Sequence, residues 1–212
     1  MIGILNYGVG NLTSVYNAFE YLQCPVFYLE NIEDFKKARA IVIPGVGHFQ
    51  AGMGNLIQKG FVEPLNYYVV AKGLPCLGIC LGLQLMGEIG LEGGETRGLG
   101  WFPATVAKID AGLPDYKLRI PHVGWNEIVI TGTASPLFQG MRKPTFYFVH
   151  SYFLNFTGED NRRYRTAYAD YGREITASAE KDNIFAVQFH PEKSAQDGMA
   201  MLRNFLKVVG NG

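Results

Sequence analysis

The segment Pro75-Cys76-Leu77-Gly78-Ile79-Cys80-Leu81-Gly82-Leu83-Gln84 restricts the fold of this chain more than any other stretch. A short apolar run meets a cysteine flanked at two residues' distance by glycines, and a helical pattern follows. This is the layout of a nucleophile elbow, G-x-S-x-G, with sulfur in place of oxygen. The turn requires a strand that feeds directly into a helix, and it pushes its central side chain outward in a strained conformation. Gly78 and Gly82 leave room where a Cβ would strike neighbouring backbone. The helix dipole then favours a thiolate at Cys80.

The rest of the first half agrees with a strand–helix alternation. Ile2 to Leu5 reads as a buried strand, followed by the glycine-bearing turn Asn6-Tyr7-Gly8-Val9-Gly10-Asn11. Leu12, Val15, Tyr16, Phe19 and Leu22 recur at helical spacing behind Asn11, a good N-cap. Further strands fit Val26 to Leu29, Ala40 to Ile43 and Leu74 to Ile79, with helices over His48 to Gln58 and Val62 to Ala71. This order predicts a parallel sheet covered on both faces, and the unalternating apolar strands suit such burial. The second half is rich in strand patterns: Thr105 to Ile109, Glu127 to Ile130, Thr145 to Val149, Tyr164 to Ala169, Ile175 to Ala179 and Ile184 to Gln188. They predict an antiparallel or mixed extension of the parallel core. A helix over Asp197 to Val209, stopped by Gly210, closes the chain. No linker or repeat divides the 212 residues, so one domain over 1–212 is expected.

Composition removes several function classes. Lys plus Arg equals Asp plus Glu at 19 each, which leaves no global field for nucleic acid or an anionic membrane. No run approaches the roughly 18 apolar residues of a membrane span. Met1-Ile2-Gly3-Ile4 enters a strand pattern without a basic stretch, so no signal peptide is visible and a cytoplasmic location is expected. The three cysteines, Cys24, Cys76 and Cys80, do not suit a disulfide scaffold or a zinc pair. Cys24 and Cys76 read as packing residues, and neither a metal nor an organic cofactor is expected.

A thiolate nucleophile needs a base, and the base needs an orienting group. His190 ends an apolar strand in Val187-Gln188-Phe189-His190-Pro191-Glu192-Lys193-Ser194. If Pro191 keeps this segment extended, positions 190 and 192 point the same way, and Glu192 can hold the His190 ring. The reading is a Cys80–His190–Glu192 triad. His48, His122 and His150 are left out of proton transfer. For the developing oxyanion, the backbone N–H of Leu81 is one donor. The turn Pro44-Gly45-Val46-Gly47 offers a second, at Val46.

Pro44-Gly45-Val46-Gly47, Gly78 to Gln84 and His190-Pro191-Glu192 resemble the class I (triad) glutamine amidotransferases. Asn6 to Asn11, Pro121-His122-Val123-Gly124-Trp125-Asn126, Tyr147-Phe148-Val149-His150-Ser151-Tyr152 and Gln188 to Ser194 narrow the resemblance to the glutaminase subunits of imidazole glycerol phosphate synthases. The resemblance runs from the first strand to the last helix. It implies a flavodoxin-like three-layer α/β fold with a mostly parallel central sheet. It also implies hydrolysis of L-glutamine to glutamate and ammonia through a Cys80 thioester. Gln84, one turn beyond Cys80, and Glu92, whose carboxylate suits an α-ammonium, are then implied in substrate binding. Backbone at Gly47, Ser151 and Tyr152 joins them. The implied partner is a (β/α)8-barrel cyclase in a heterodimer. It would use the ammonia to make imidazole glycerol phosphate and an aminoimidazole carboxamide ribotide for histidine biosynthesis. Asn11, Trp125, Tyr147 and Lys193 are the candidates for the partner face. For Trp125, core packing is the competing reading. A close paralogue that supplies ammonia for an amidine on a bacterial surface sugar is the alternative destination. An inactive regulatory module is disfavoured because every triad position is filled. A peptidase or esterase is disfavoured by Gln84 and the Pro44–Gly47 turn.

Overall fold

The computed structural model describes residues 1–110, 112–113, 116–131 and 135–210. The first half alternates strands and helices. Strand β1 spans Ile2–Leu5, β2 Val26–Leu29, β3 Ala40–Ile43 and β4 Cys76–Ile79. Helix α1 spans Leu12–Tyr21, α2 Phe49–Gln58, α3 Val62–Leu65 and α4 Leu81–Leu85, and a π-helical stretch over Asn66–Ala71 extends α3. Asn11 caps α1 as its side chain accepts from the Ser14 N–H. Beyond α4 come β5 (Gly87–Gly90), β6 (Thr96–Arg97), β7 (Phe102–Lys108) and the short pair β8 (Gly112–Leu113) and β9 (Tyr116–Lys117). Then follow β10 (His122–Ile130), β11 (Thr145–His150), β12 (Tyr152–Asn155), helix α5 (Asp160–Tyr164), β13 (Arg165–Asp170), β14 (Glu174–Lys181) and β15 (Ile184–Val187). Helix α6 (Ala195–Gly210) ends the described chain, and Gly210 lies inside its last turn rather than beyond it.

Among the described residues, nine strands form one sheet in the order β11-β10-β13-β14-β15-β4-β3-β1-β2. From β15 to β2 every pairing is parallel, and from β15 to β11 every pairing is antiparallel. Strand β15 is therefore the seam between the expected parallel core and its extension. The extension is not one piece, however. Strands β12, β7, β5 and β6 form a separate four-stranded sheet. Strand β5, Gly87–Gly90, had no strand assigned to it from sequence. Its glycines lack the β-branched character that marks a strand. Packing selects them instead: a Cβ on Gly90 would lie within 2.5 Å of the Phe49 ring of α2.

Every residue of β1, β3, β4 and β15 is buried, as strands covered on both faces must be. One face of the sheet carries α1 and α6, whose Val15, Phe19, Leu202 and Phe205 join Ile4, Val42 and Leu77 in one core. The other carries α2 and α4, whose Phe49, Leu56 and Leu85 join Leu5, Ile41 and Cys76. Each large side chain so buried contributes about 1.5–3 kcal/mol. The result is a three-layer α/β structure. No helix of the described residues is long and apolar enough to cross a membrane.

Candidate active site

The loops at the carboxyl ends of three adjacent parallel strands converge, the usual place for a ligand in such a sheet. Strand β4 delivers Cys80 and lies between β3, which delivers Pro44 to Gly47, and β15, which delivers His190. The nucleophile candidate is thus flanked by an oxyanion-loop candidate on one side and a base candidate on the other.

Cys80 has φ 53° and ψ −105°, a left-handed conformation that a non-glycine residue holds only under constraint. The flanking glycines supply that constraint. A Cβ on Gly82 would lie 1.8 Å from the Ile43 carbonyl oxygen, and one on Gly78 would lie 2.9 Å from the Gly82 backbone. Close packing of α4 on β3 and β4 therefore requires both glycines, as the elbow pattern predicts. Cys76 sits inside the core, and burial pushes its thiol far above the usual range, in keeping with a packing role. Burial also raises the Cys24 thiol.

His190 and Glu192 meet as expected, but not for the expected reason. Pro191–Lys193 is a turn of 3-10 helix, not an extended segment, and His190 is its N-cap. The curl brings Glu192 Oε1 to 2.8 Å from His190 Nδ1. Both side chains are only 2% exposed. A carboxylate only accepts, so Nδ1 donates and Nε2 is the basic nitrogen of the neutral ring. Nε2 is buried with no hydrogen-bond partner, which leaves it as the ring nitrogen available to Cys80. Burial disfavours the charged ring, yet Cys80 and then Glu192 outweigh it and raise the pKa to about 9. The main chain that carries the ring is pinned as well: the His190 N–H donates to the Tyr147 carbonyl at 2.9 Å, and Ser194 Oγ donates to the His190 carbonyl at 2.6 Å.

A cavity of about 290 Å³ opens over Cys80. Val46, Gly47, Leu81, Gln84, Glu92, Ser151 and Tyr152, all singled out from sequence, line it. Its size is that of a small ligand, at the low end for binding pockets. Glu92 Oε2 accepts from the Phe49 N–H at 2.7 Å and so caps α2 while facing the cavity. Gln84 is 4% exposed, and its Nε2 donates to the Tyr152 carbonyl at 2.8 Å.

One of the two expected oxyanion donors is already engaged. The Leu81 N–H is engaged by the Gly45 carbonyl at 3.3 Å, so it is not free to meet a substrate oxygen. The loop is fixed from behind by Tyr7, fully buried, whose hydroxyl donates to the Pro44 carbonyl at 2.7 Å. Burial first, and Cys80 second, push the Tyr7 phenol far above its usual range.

Sequence reasoning missed Tyr7, His150 and Gln188. His150 lines the cavity and donates from Nδ1 to the Tyr152 carbonyl at 2.9 Å. Its Nε2 lies 3.2 Å from His122 Nδ1. Burial lowers the pKa of His122 to about 4 and of His150 to about 3, so both rings are neutral. Gln188 is fully buried and reaches Cys80. A glutamine that ends an otherwise apolar strand two residues before His190 was the available signal. Among the partner-face candidates, Trp125 is 55% exposed, which removes the core-packing reading, and its ring lies 6.1 Å from that of Tyr147. Asn11 and Lys193 are also exposed. Among the described residues, no group of three or more His, Cys, Asp or Glu is placed to hold a metal.

The family model for class-I glutamine amidotransferases matches residues 4–209. Imidazole glycerol phosphate synthase subunit HisH 1 of Campylobacter jejuni (strain RM1221) is 44% identical over 209 residues, which cover 98% of this chain and 100% of that one. Subunit HisH of Caldanaerobacter subterraneus subsp. tengcongensis is 41% identical over 99% of this chain and 98% of its own. A crystal structure of a glutamine amidotransferase superposes with a TM-score of 0.75 at 18% identity, over 99% of this chain and 98% of that one, which speaks to the fold alone. By family model and by full-length relatives, the chain belongs to the class-I glutamine amidotransferases, in the HisH branch of that family.

Proposed function

We propose that this chain is the glutaminase subunit of an imidazole glycerol phosphate synthase. It hydrolyses L-glutamine and hands ammonia to a (β/α)8-barrel cyclase partner in histidine biosynthesis. The observation that carries the reading is the strained Cys80 at the floor of an amino-acid-sized cavity, coupled to a buried His190–Glu192 pair. The HisH names of the full-length relatives favour this destination over an amidine on a surface sugar.

In this mechanism His190 Nε2 takes the Cys80 thiol proton. The sulfur then attacks the carboxamide carbon of glutamine. As the C–N bond breaks, His190 returns the proton to the departing ammonia and leaves a thioester. His190 next activates a water, which releases glutamate and restores the thiol. Glu192 holds the ring through Nδ1 and stabilises the imidazolium. Glu92 would receive the substrate α-ammonium, with Gly47, Gln84, Ser151 and Tyr152 as the remaining walls. The oxyanion needs donors from Leu81 and Val46. The Gly45 carbonyl now holds the Leu81 N–H, so the Gly45–Val46 peptide must turn before both can serve. We assign that step to binding of the cyclase, which implies slow turnover by the isolated subunit. Ammonia release from glutamine, with and without the cyclase, tests both points. The Cys80→Ala variant should fold, bind the partner and release none; persistent hydrolysis in it refutes the nucleophile, and equal wild-type rates with and without partner refute the activation step.

A further inference from the structure

A buried amide of unassigned role touches the proposed nucleophile. Gln188 is fully buried, and its Nε2 lies 3.6 Å from Cys80 Sγ. Which end of that amide faces the sulfur follows from a chain of bonds that begins at a main-chain carbonyl. The Tyr152 oxygen can only accept. The Gln84 atom 2.8 Å from it must therefore be the NH2 group. That same Gln84 NH2 lies 3.3 Å from the outer end of Gln188. A second NH2 there would set donor against donor, so this end of Gln188 is its oxygen. The remaining end, the NH2, must then point at the sulfur. His150 Nδ1 also donates to the Tyr152 oxygen, at 2.9 Å, which fixes the start of the chain from a second side.

We infer that Gln188 sets the position and charge state of the Cys80 sulfur by donating a hydrogen bond to it. The donor orientation is imposed by Gln84 and the Tyr152 carbonyl. A buried N–H aimed at sulfur stabilises the thiolate over the thiol, because a charged acceptor strengthens the bond and a thiol gains little from it. It also restricts the directions the sulfur can take. The amide thus couples the cavity wall, through Gln84, to the reacting atom. This inference rests on the reading of Cys80 as nucleophile.

The test is the rate at which iodoacetamide alkylates Cys80 in the intact chain. The Cys80 peptide is followed by mass spectrometry, because Cys24 and Cys76 are also free. Gln188→Met conserves volume and removes the donor. It should slow alkylation at pH 7 by about tenfold to a hundredfold, the scale of a hydrogen bond to a charged group. At pH 10, where the thiolate forms without help, its rate should match that of wild type. Gln188→Glu keeps an oxygen for Gln84 but turns an anionic oxygen toward the sulfur, and should react still more slowly at pH 7. If Gln188→Met folds poorly, Gln188→Asn carries the same test, since it retracts the donor by one methylene and should show the same loss at pH 7 alone. A variant that alkylates like wild type at pH 7, or one that is slowed equally at both pH values, overturns the inference. Labelling of wild-type Cys80 by a glutamine-analogue chloroketone is scored separately. Failure of that labelling sinks the glutaminase reading, whereas normal labelling with no response to Gln188 sinks this inference alone.

Discussion

At His190 two opposing effects meet in one ring. Burial disfavours the imidazolium, while Cys80 and then Glu192 favour it, and the outcome is a pKa of about 9. Deleting the sulfur leaves burial opposed by Glu192 alone. The His190 midpoint should therefore fall below about 9 in Cys80→Ala, as read from the imidazole resonances by NMR. A midpoint that does not move would mean that the two groups are not coupled. The same linkage fixes a stability trend. The folded value lies above the roughly 6.5 of an unfolded histidine, so the contribution is complete below about pH 6.5 and is lost as pH rises toward 9. Denaturant titrations at pH 6 and pH 9.5 should show wild type losing more stability than Cys80→Ala across that window. Glu192→Gln preserves the shape of the pair and removes its charge, so kcat should drop by about 10²–10⁴-fold with the fold intact.

At the level of elements, the elbow is a packing problem before it is a chemical one. Helix α4 sits so close to β3 that Gly82 has no room for a methyl group against the Ile43 carbonyl. Gly82→Ala should destabilise the protein by about 3 kcal/mol or more, since backbone on backbone cannot yield as a side chain can. A melting temperature within a degree of wild type would refute this. Strands β10 and β11 carry a different liability, the neutral pair His122 and His150. Their folded pKa values, about 4 and about 3, lie below the unfolded value, so this contribution is present above about pH 6.5 and is lost as pH falls toward 4 and below. His122→Gln cannot charge and should shrink the stability lost between pH 7 and pH 4.5, as measured by denaturant titration. Much of this level was legible in the sequence. Apolar runs and helical spacing located β1 to β4, α1, α2 and α6 because continuous burial leaves a compositional trace. In the small sheet, β7 was legible as the strand pattern from Thr105 to Ile109, but β5 was not, since Gly87–Gly90 is chosen by the space beside Phe49 and not by strand propensity. The His190–Glu192 contact was legible as a pairing but not as a geometry: spacing by two fits an extended strand, and the 3-10 curl that closes the gap is imposed by tertiary contacts with Tyr147 and Ser194. The engaged Leu81 N–H had no sequence signature at all, because it depends on which way one peptide plane faces.

Across the whole molecule, the sheet ties the proposed partner face to the base. Strand β11 is the edge strand of the antiparallel half, yet its Tyr147 carbonyl accepts from the His190 N–H and its Tyr147 N–H donates to Ser194 Oγ. Tyr147 pairs with Trp125 of β10 across the ladder, and their rings meet on the open face of the sheet. A partner that presses on Trp125 and Tyr147 therefore acts on the backbone that holds His190 at the carboxyl end of β15. Trp125 is 55% exposed in the isolated chain, so its removal should leave stability within about 0.5 kcal/mol of wild type. An aromatic anchor desolvated at an interface is a different matter, worth about 2 kcal/mol or more. Trp125→Ala should weaken binding of the cyclase by about thirtyfold, as measured by calorimetric titration. With partner in saturating excess, the rate of ammonia release should recover only in part, because the contact that bears on Tyr147 stays missing. Unchanged affinity in Trp125→Ala would move the partner face elsewhere on the molecule. Reduced affinity with full recovery of rate at saturation would keep the face but separate it from the activation of the site.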